Sequence, residues 1–487
     1  MTMDDTAEAS LDRARNLARA GRQAEAEDIC TEALARPGMA SPQRLALLEL
    51  RSEVRFVRGG MAEALADGEA LLKAARRDRN VAAQARAHCA MAEPLTRMGR
   101  VPEMLAATQA ALKLARRSGE PTTLALALLR HAASLYRSGT GSGIAEARAA
   151  LALYTRLGDL SGQAQAAGAL AWTLMLVGNI AGSRDSAHQA IACARACGDH
   201  LAEGRALNAL NATETDLAAR LRGFQQAAEA MEQGGGTALA ARSNHADVFS
   251  ALGLYRRGQR LIRAAGDEAR RLGLNQLLAT GLTNGAGRAC LYGDLVNARR
   301  LLAEYEALLQ VYADPRAAWN LAYLRGHLAL SEGRATQAVR HFVLARGHTQ
   351  GSASSIGSHI QTLADLTAAR LASGQARAAL RDSREAVTLH RAHGLESLDG
   401  LEVTHIWGQH HRALVANGRA DEAWAALQQA YALLLEGVKN VRDEGLRRSF
   451  LNKVPANRAI TLAWLPEASR RGLPDDRRLA HLMLPSD

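Results

Sequence analysis

The sequence is poor in aromatic residues. They make up 4% of its 487 residues, whereas hydrophobic residues reach 48% and charged residues 22%. This composition excludes a globally disordered chain, but it leaves Ala, Leu and Val to build the core. Small aliphatic side chains suit closely packed helices better than a β-sandwich.

Lysine is almost missing as well. Four of the 60 basic residues are lysines (Lys73, Lys113, Lys439 and Lys453), so the formal net charge of +11 comes from arginine. No run of five or six like charges marks a basic tail. We interpret the charge as a solvated, arginine-rich surface. We therefore expect no specific nucleic-acid partner, and only weak, salt-dependent retention on DNA.

Paired cysteines and long apolar runs are also lacking. The five cysteines are odd in number and form no Cys-x-x-Cys motif. Cys193 and Cys197 lie one helical turn apart, but no His or Cys pair follows at zinc spacing. The first residues carry acidic groups, and no uncharged stretch is apolar enough to span a bilayer. We expect reduced cysteines, no metal, no membrane insertion and a cytoplasmic location.

Motifs of catalysis are absent too. The sequence contains no P-loop, no Gly-x-Ser-x-Gly and no His-Glu-x-x-His. The glycine-rich stretch at 139–143 has no Lys and falls where a turn between helices is due. Three histidines in "HIWGQHH", His405, His410 and His411, are poorly spaced for a shared metal. We predict that the chain is not an enzyme and needs no cofactor.

What is present is a repeat of about forty residues. Turn glycines recur at Gly60, Gly99, Gly139 and Gly178, and a second ladder runs from Gly253 to Gly418. Apolar residues with helical spacing flank each turn, and glycine tolerates the left-handed conformation that ends a helix. One such hairpin cannot bury its apolar face alone. The pattern therefore predicts a stacked, one-dimensional array.

This pattern resembles the tetratricopeptide repeat in a long variant. The late repeats carry the family's Trp (Trp407), its aliphatic partner (Leu414) and a small first-helix residue (Gly326), although His411 stands where another small residue is expected. The resemblance covers residues 6–441, with 200–236 as an expected shortened repeat. It implies an all-α, right-handed superhelical solenoid of about eleven hairpins with a C-terminal helical cap.

The resemblance also implies that the first helices line a concave groove, which binds a peptide or protein partner. A Lys/Asn cluster for a C-terminal carboxylate is lacking, which disfavours a chaperone-tail adaptor. The predicted groove residues are Arg86, Glu93, Arg97, Trp172, Asp247, Asn320, Tyr323, His327, His405 and Arg412.

The segment 442–472 departs from the repeat. It resembles the junction that follows a tetratricopeptide array in bacterial signalling proteins with a GAF domain and a kinase or cyclase output. We expect 1–441 to be the solenoid, 442–472 the cap and junction, and 473–487 a tail that need not be ordered. The predicted junction residues are Leu446, Arg447, Arg448, Phe450, Asn452, Lys453, Asn457 and Arg458.

Two functions are compatible with these expectations. The first is a non-enzymatic interaction scaffold or sensor in bacterial signal transduction, without the ATPase or output domain of the family. The alternative is the partner-binding region of a transcription regulator, although no helix-turn-helix is evident. A homodimer remains open in both cases.

Overall fold

The protein is an array of helical hairpins. A computed structural model describes residues 3–350, 356–394, 403–439, 441 and 443–474, and these residues form 24 α-helices and no strand. The first 22 helices pair into eleven hairpins, and two further helices follow. The predicted fold class, an all-α solenoid with a helical cap, is confirmed.

Each hairpin has a first helix that faces the concave side and a second helix that packs behind it. The first helices are α1 (Met3–Arg19), α3 (Ser41–Arg58), α5 (Val81–Arg97), α7 (Pro121–Ser138), α9 (Leu160–Leu176), α11 (His200–Ala212), α13 (Leu239–Ala251), α15 (Asn275–Leu291), α17 (Ala317–Ser331), α19 (Ile356–Ala372) and α21 (Val403–Ala416). The second helices are α2 (Gln23–Ala35), α4 (Met61–Arg77), α6 (Val101–Ser118), α8 (Ile144–Leu157), α10 (Ile180–Cys197), α12 (Leu217–Gln233), α14 (Tyr255–Arg271), α16 (Leu295–Leu308), α18 (Ala335–Thr349), α20 (Ala376–Ala392) and α22 (Ala420–Lys439).

The turn glycines adopt the predicted backbone conformation. Gly60 is the exception, because the left-handed residue of its turn is the neighbouring Gly59, with φ 91°. A second series of left-handed glycines, which the sequence pattern did not single out, separates one hairpin from the next. Its members include Gly119, Gly158, Gly198, Gly273 and Gly394.

The hairpin at 200–236 uses a different turn. Helix α11 ends at Ala212 and α12 begins at Leu217, with no glycine between them. The Asp216 carboxylate instead accepts hydrogen bonds from the backbone N–H groups of Ala218 and Ala219, at 2.8 and 3.0 Å. An aspartate N-cap thus supplies the helix start, and the hairpin is complete despite its short first helix.

Successive turns of the superhelix touch each other. The Gln23 side chain donates a hydrogen bond to the Gly234 carbonyl oxygen, 211 residues further along the chain and a little more than five repeats away. Gly99 lies against the Tyr312 ring, and Gly178 lies against His393. The hairpin turns of one superhelical turn therefore pack on the segments that link successive hairpins in the next.

Two further helices cover the last hairpin. They are α23 (Glu444–Lys453) and α24 (Pro455–Arg470). Phe450 and Val454 are buried, and the Trp464 ring stacks on Tyr431 of α22 with 4.0 Å between ring centroids. The predicted division into domains stays a prediction, and most of the tail lies outside the described residues.

One buried histidine predicts acid sensitivity. His410 is 9% exposed, and its Nδ1 lies 3.0 Å from the Ser383 hydroxyl. Burial, helped by Arg384 and Arg391, lowers the pKa of His410 to about 4. As the pH falls, the unfolded chain therefore binds a proton at His410 before the folded protein does. The free energy of unfolding decreases by at most about 3 kcal/mol between about pH 6.5 and pH 4.

We expect His410→Asn to flatten this pH dependence, since Asn keeps a polar atom near Ser383 and cannot be protonated. Urea unfolding at pH 7 and pH 4.5 measures the difference for both proteins. The exposed His348→Asn is the control and should retain the wild-type pH dependence. Equal acid destabilisation of wild type and His410→Asn would contradict the prediction.

Candidate functional site

The first helices line one continuous groove. It has a volume of about 1400 Å³, and its lining runs from Phe56 on α3 to Asn457 on α24. Because successive superhelical turns are in contact, the wall of the groove continues from one turn to the next along the superhelix axis. A groove of this form can enclose an extended segment of a partner.

Most of the predicted groove residues lie in this lining. Those in the lining are Glu93, Arg97, Trp172, Asp247, Asn320, Tyr323, His327 and His405. The other two predicted groove residues, Arg86 and Arg412, are also described by the structure but do not line the groove. Arg86 bridges neighbouring first helices through Glu49 and Glu120, at 3.0 and 3.1 Å, and the exposed Arg412 bonds Gln409.

Three predicted residues converge on one carboxylate that the sequence pattern did not indicate. The Tyr323 hydroxyl donates to Asp365 Oδ2 at 2.6 Å, and His327 Nε2 lies 3.2 Å from the same oxygen. His405 Nε2 lies 2.9 Å from Asp365 Oδ1. Asp365 is 4% exposed, so the structure joins α17, α19 and α21 through a buried polar network.

This network favours the ionised form of Asp365. Burial by itself would raise the pKa of the carboxyl group, but the charges and hydrogen bonds of His327 and His405 outweigh burial. The pKa of Asp365 is therefore well below its ordinary range. Asp365 acts as an anchor for three groove side chains, which holds their rings in fixed positions.

An aromatic surface adjoins the network. Trp319 stacks on Tyr323 with 4.8 Å between ring centroids, and the Arg316 guanidinium lies 4.8 Å from the Trp319 ring. Asn320 donates hydrogen bonds to the Tyr305 hydroxyl and to Asp314, at 3.1 and 3.2 Å. These rigid rings offer an apolar contact area beside fixed polar groups, as in many ligand sites.

The groove lining also contains a cluster of arginines, two of which, Arg97 and Arg137, lie near Tyr312. Arg130 Nη1 lies 3.5 Å from Glu93 Oε1. Arg97 and Arg137 both donate to the amide oxygen of Gln276, at 3.3 and 3.1 Å. Gln276 belongs to α15, so this contact joins two superhelical turns.

The junction residues have mixed surroundings. Asn457 is 1% exposed and bonds the Phe450 carbonyl and the Thr404 hydroxyl, so its side chain anchors α24 and is not open to a partner. Leu446 is half-buried against the core, Arg447 bonds the Val441 carbonyl, and Arg448 pairs with Glu444. Asn452 bonds the Arg448 carbonyl, whereas Lys453 and Arg458 are exposed.

The described residues contain neither a metal site nor a membrane-spanning helix. No group of three or more His, Cys, Asp or Glu side chains could hold a metal ion in this part of the chain. In the same part, no helix is both long and apolar enough to cross a membrane.

The fold and groove define a helical-repeat protein. Neither the known protein families nor the curated proteins contain a sequence match to the chain. Among solved structures, a Rap protein complexed with Competence and Sporulation Factor is 12% identical, with a TM-score of 0.42, over 81% of this chain and 99% of that one.

Two other solved structures share this low level of similarity. A chain of the APC/C hetero-tetramer Cut9–Hcn1 is 13% identical, with a TM-score of 0.38, over 92% of this chain and 89% of that one. Yeast Tom70 is 12% identical, with a TM-score of 0.34, over 96% of each chain. At these sequence identities and TM-scores, neither a partner nor an activity of these proteins is assigned to this protein.

Proposed function

We propose that this protein is a non-enzymatic interaction module whose groove binds a peptide or a segment of a protein partner. The observation that carries the proposal is the continuous groove of about 1400 Å³, lined by rigid aromatic side chains and fixed polar groups. A volume of this size exceeds the usual range for small-molecule pockets. An extended peptide fits the length of the groove better than a compact ligand does.

The proposal places this module in bacterial signal transduction. The resemblance of the 442–472 segment to signalling junctions supports that context. The exposed side chains of Lys453 and Arg458 offer a positively charged surface beside Val454 and Asn457, which line the groove. In this scheme, a partner bound in the groove is coupled to an output protein through α23 and α24.

Selection of peptides from a displayed random library tests groove binding. We expect selected peptides to lose at least about tenfold in affinity when Thr280→Trp narrows the groove, because Thr280 is exposed and lines the groove. Fluorescence anisotropy with a labelled synthetic peptide measures the dissociation constant.

The matched control is Leu344→Trp on α18, where the wild-type side chain is 58% exposed and outside the groove. This variant should bind like wild type. Selected peptides that bind Thr280→Trp as tightly as wild type would show that the groove is not the binding surface.

A further inference from the structure

Positive charge exceeds negative charge inside the groove. Two of its carboxylates are already engaged by neutral or histidine donors, Asp314 by Tyr305 and Asn320, and Asp365 by Tyr323 and two histidines. They are not paired with groove arginines, although the lining contains more arginines than carboxylates. The excess is concentrated on α5, α7 and α11.

Four arginines gather there, on three first helices. Arg97 is on α5, Arg130 and Arg137 are on α7, and Arg205 is on α11; all four line the groove. Two carboxylates, Glu53 and Glu93, lie near them, and a third, Asp199, lies near Glu53. With all three carboxylates ionised, one positive charge remains unbalanced.

The partners of two of these arginines do not neutralise them. Arg97 and Arg137 share a neutral acceptor, the Gln276 amide oxygen. Arg137 Nε is a buried donor without a hydrogen-bond partner in the described part of the chain. Two guanidinium groups that converge on one amide form an arrangement that an added oxyanion would stabilise.

The electrostatic balance agrees with this geometry. Burial and the neighbouring Arg137 lower the pKa of Arg97 to about 10. Burial opposes ionisation of Glu93, but Arg130, Arg137 and Arg97 outweigh it and lower the pKa of Glu93 to about 2. Glu93 thus remains charged and is surrounded by more guanidinium groups than it can pair with.

Open space lies in front of the cluster. The groove face of α9, between α7 and α11, includes the small residues Ala164, Gly168 and Ala169. A Cβ added at Gly168 would meet no atom within 4 Å. A ligand group can therefore enter beside the arginines without displacing a side chain of α9.

Building on the proposed function, we propose that the groove binds an acidic peptide segment, whose carboxylate or phosphate oxygens contact Arg97 and Arg137, with Arg205 adding to the positive cluster. Bidentate pairing with a guanidinium suits both kinds of oxyanion. The aromatic surface around Trp319 then receives an apolar part of the same peptide.

The amino-acid composition of the peptides selected from the displayed library tests this inference. We expect groove-dependent peptides to be enriched in Asp and Glu. One selected sequence is then synthesised with its acidic residues kept, changed to Asn or Gln, or replaced by phosphoserine. The neutral version should bind at least about tenfold more weakly than the acidic one. Binding of the phosphoserine version shows whether phosphate can replace carboxylate.

Protein variants locate the contact. Arg97→Gln and Arg137→Gln should each weaken the acidic peptide at least about tenfold and leave the neutral peptide unchanged. Gly168→Met should weaken the acidic peptide without removing a charge. Arg86→Gln is the control, because Arg86 is paired with Glu49 and Glu120 outside the groove lining. It should bind like wild type.

The outcomes separate the two proposals. Groove-dependent peptides without acidic enrichment, bound equally by wild type and Arg97→Gln, would overturn the anionic inference and leave the proposed function standing. A selection that yields no groove-dependent peptide would overturn both. Circular dichroism and unfolding of each variant identify losses that come from misfolding, and Gly168→Met keeps the test valid if an arginine variant fails to fold.

Discussion

Asp365→Ala is expected to lower the free energy of unfolding by about 3–5 kcal/mol, because it removes the shared acceptor of a buried polar network. Tyr323, His327 and His405 would then keep their donors in the groove wall without the carboxylate that orients them. Unpaired buried donors cost more than the bonds themselves contribute. Urea unfolding at pH 7 measures the change.

The matched control is Glu436→Ala, another carboxylate that lines the groove. Its side chain is 66% exposed and pairs with Lys439 at the surface, so a change of well under 1 kcal/mol is expected. Asp365→Asn should fall between the two, since the amide keeps one acceptor oxygen. A loss for Asp365→Ala no larger than that for Glu436→Ala would show that the network does not stabilise the fold.

The pH dependence of this contribution has a definite sign. The folded pKa of Asp365 lies below its unfolded value, so the stabilisation is present above the unfolded pKa. It is lost as the pH falls through about 4 and below. The acid loss from His410 begins at higher pH, which separates the two effects in a titration.

The sequence predicts the hairpins well because their signals are local. A glycine with positive φ ends a helix wherever it stands, and the alanines behind it fix the packed face. Ala298, Ala338 and Ala423 are 2%, 0% and 3% exposed, as their helical spacing predicts. The N-cap at Asp216 is also a local signal, and it replaces the glycine that the pattern sought.

Contacts between groove residues follow a regular spacing along the sequence. This spacing is missed when each position is considered alone. Arg130 meets Glu93, and Asn284 meets Asp247, each 37 residues apart. His405 lies 40 residues after Asp365. Equivalent positions on neighbouring first helices thus come together. A search for complementary polar residues one repeat apart could have found Asp365.

Contacts between superhelical turns have no such signal. They depend on the rotation that accumulates over more than five repeats, and a small change in each repeat would shift the partner by many residues. The sequence therefore explains why Gly99 ends a helix but not why Tyr312 lies against it. The same limit applies to the pairing of Arg97 and Arg137 with Gln276.

Gly99→Ala tests whether the contact between turns stabilises the protein. Gly99 has φ 78°, and a Cβ there would lie 2.1 Å from the ring of Tyr312, which is 5% exposed and cannot easily move. The backbone strain costs about 1–2 kcal/mol and the overpacking about 1–3 kcal/mol more. We expect a total loss of about 2–5 kcal/mol in unfolding free energy, together with a larger radius of gyration in solution scattering.

Gly374→Ala is the matched control for this change. Gly374 also has φ 78° after a first helix, but a Cβ there meets nothing within 4 Å. Its cost should be the backbone strain of about 1–2 kcal/mol alone, with an unchanged radius of gyration. Combining Gly99→Ala with Tyr312→Ala should cost less than the sum of the two single changes. The Cβ that Gly99→Ala adds clashes with the Tyr312 ring, and Tyr312→Ala removes that ring. Equal losses for Gly99→Ala and Gly374→Ala would mean that the contact of Gly99 with Tyr312 does not hold the superhelical turns together. The groove wall formed by Gln276 would then have to be stabilised by other contacts.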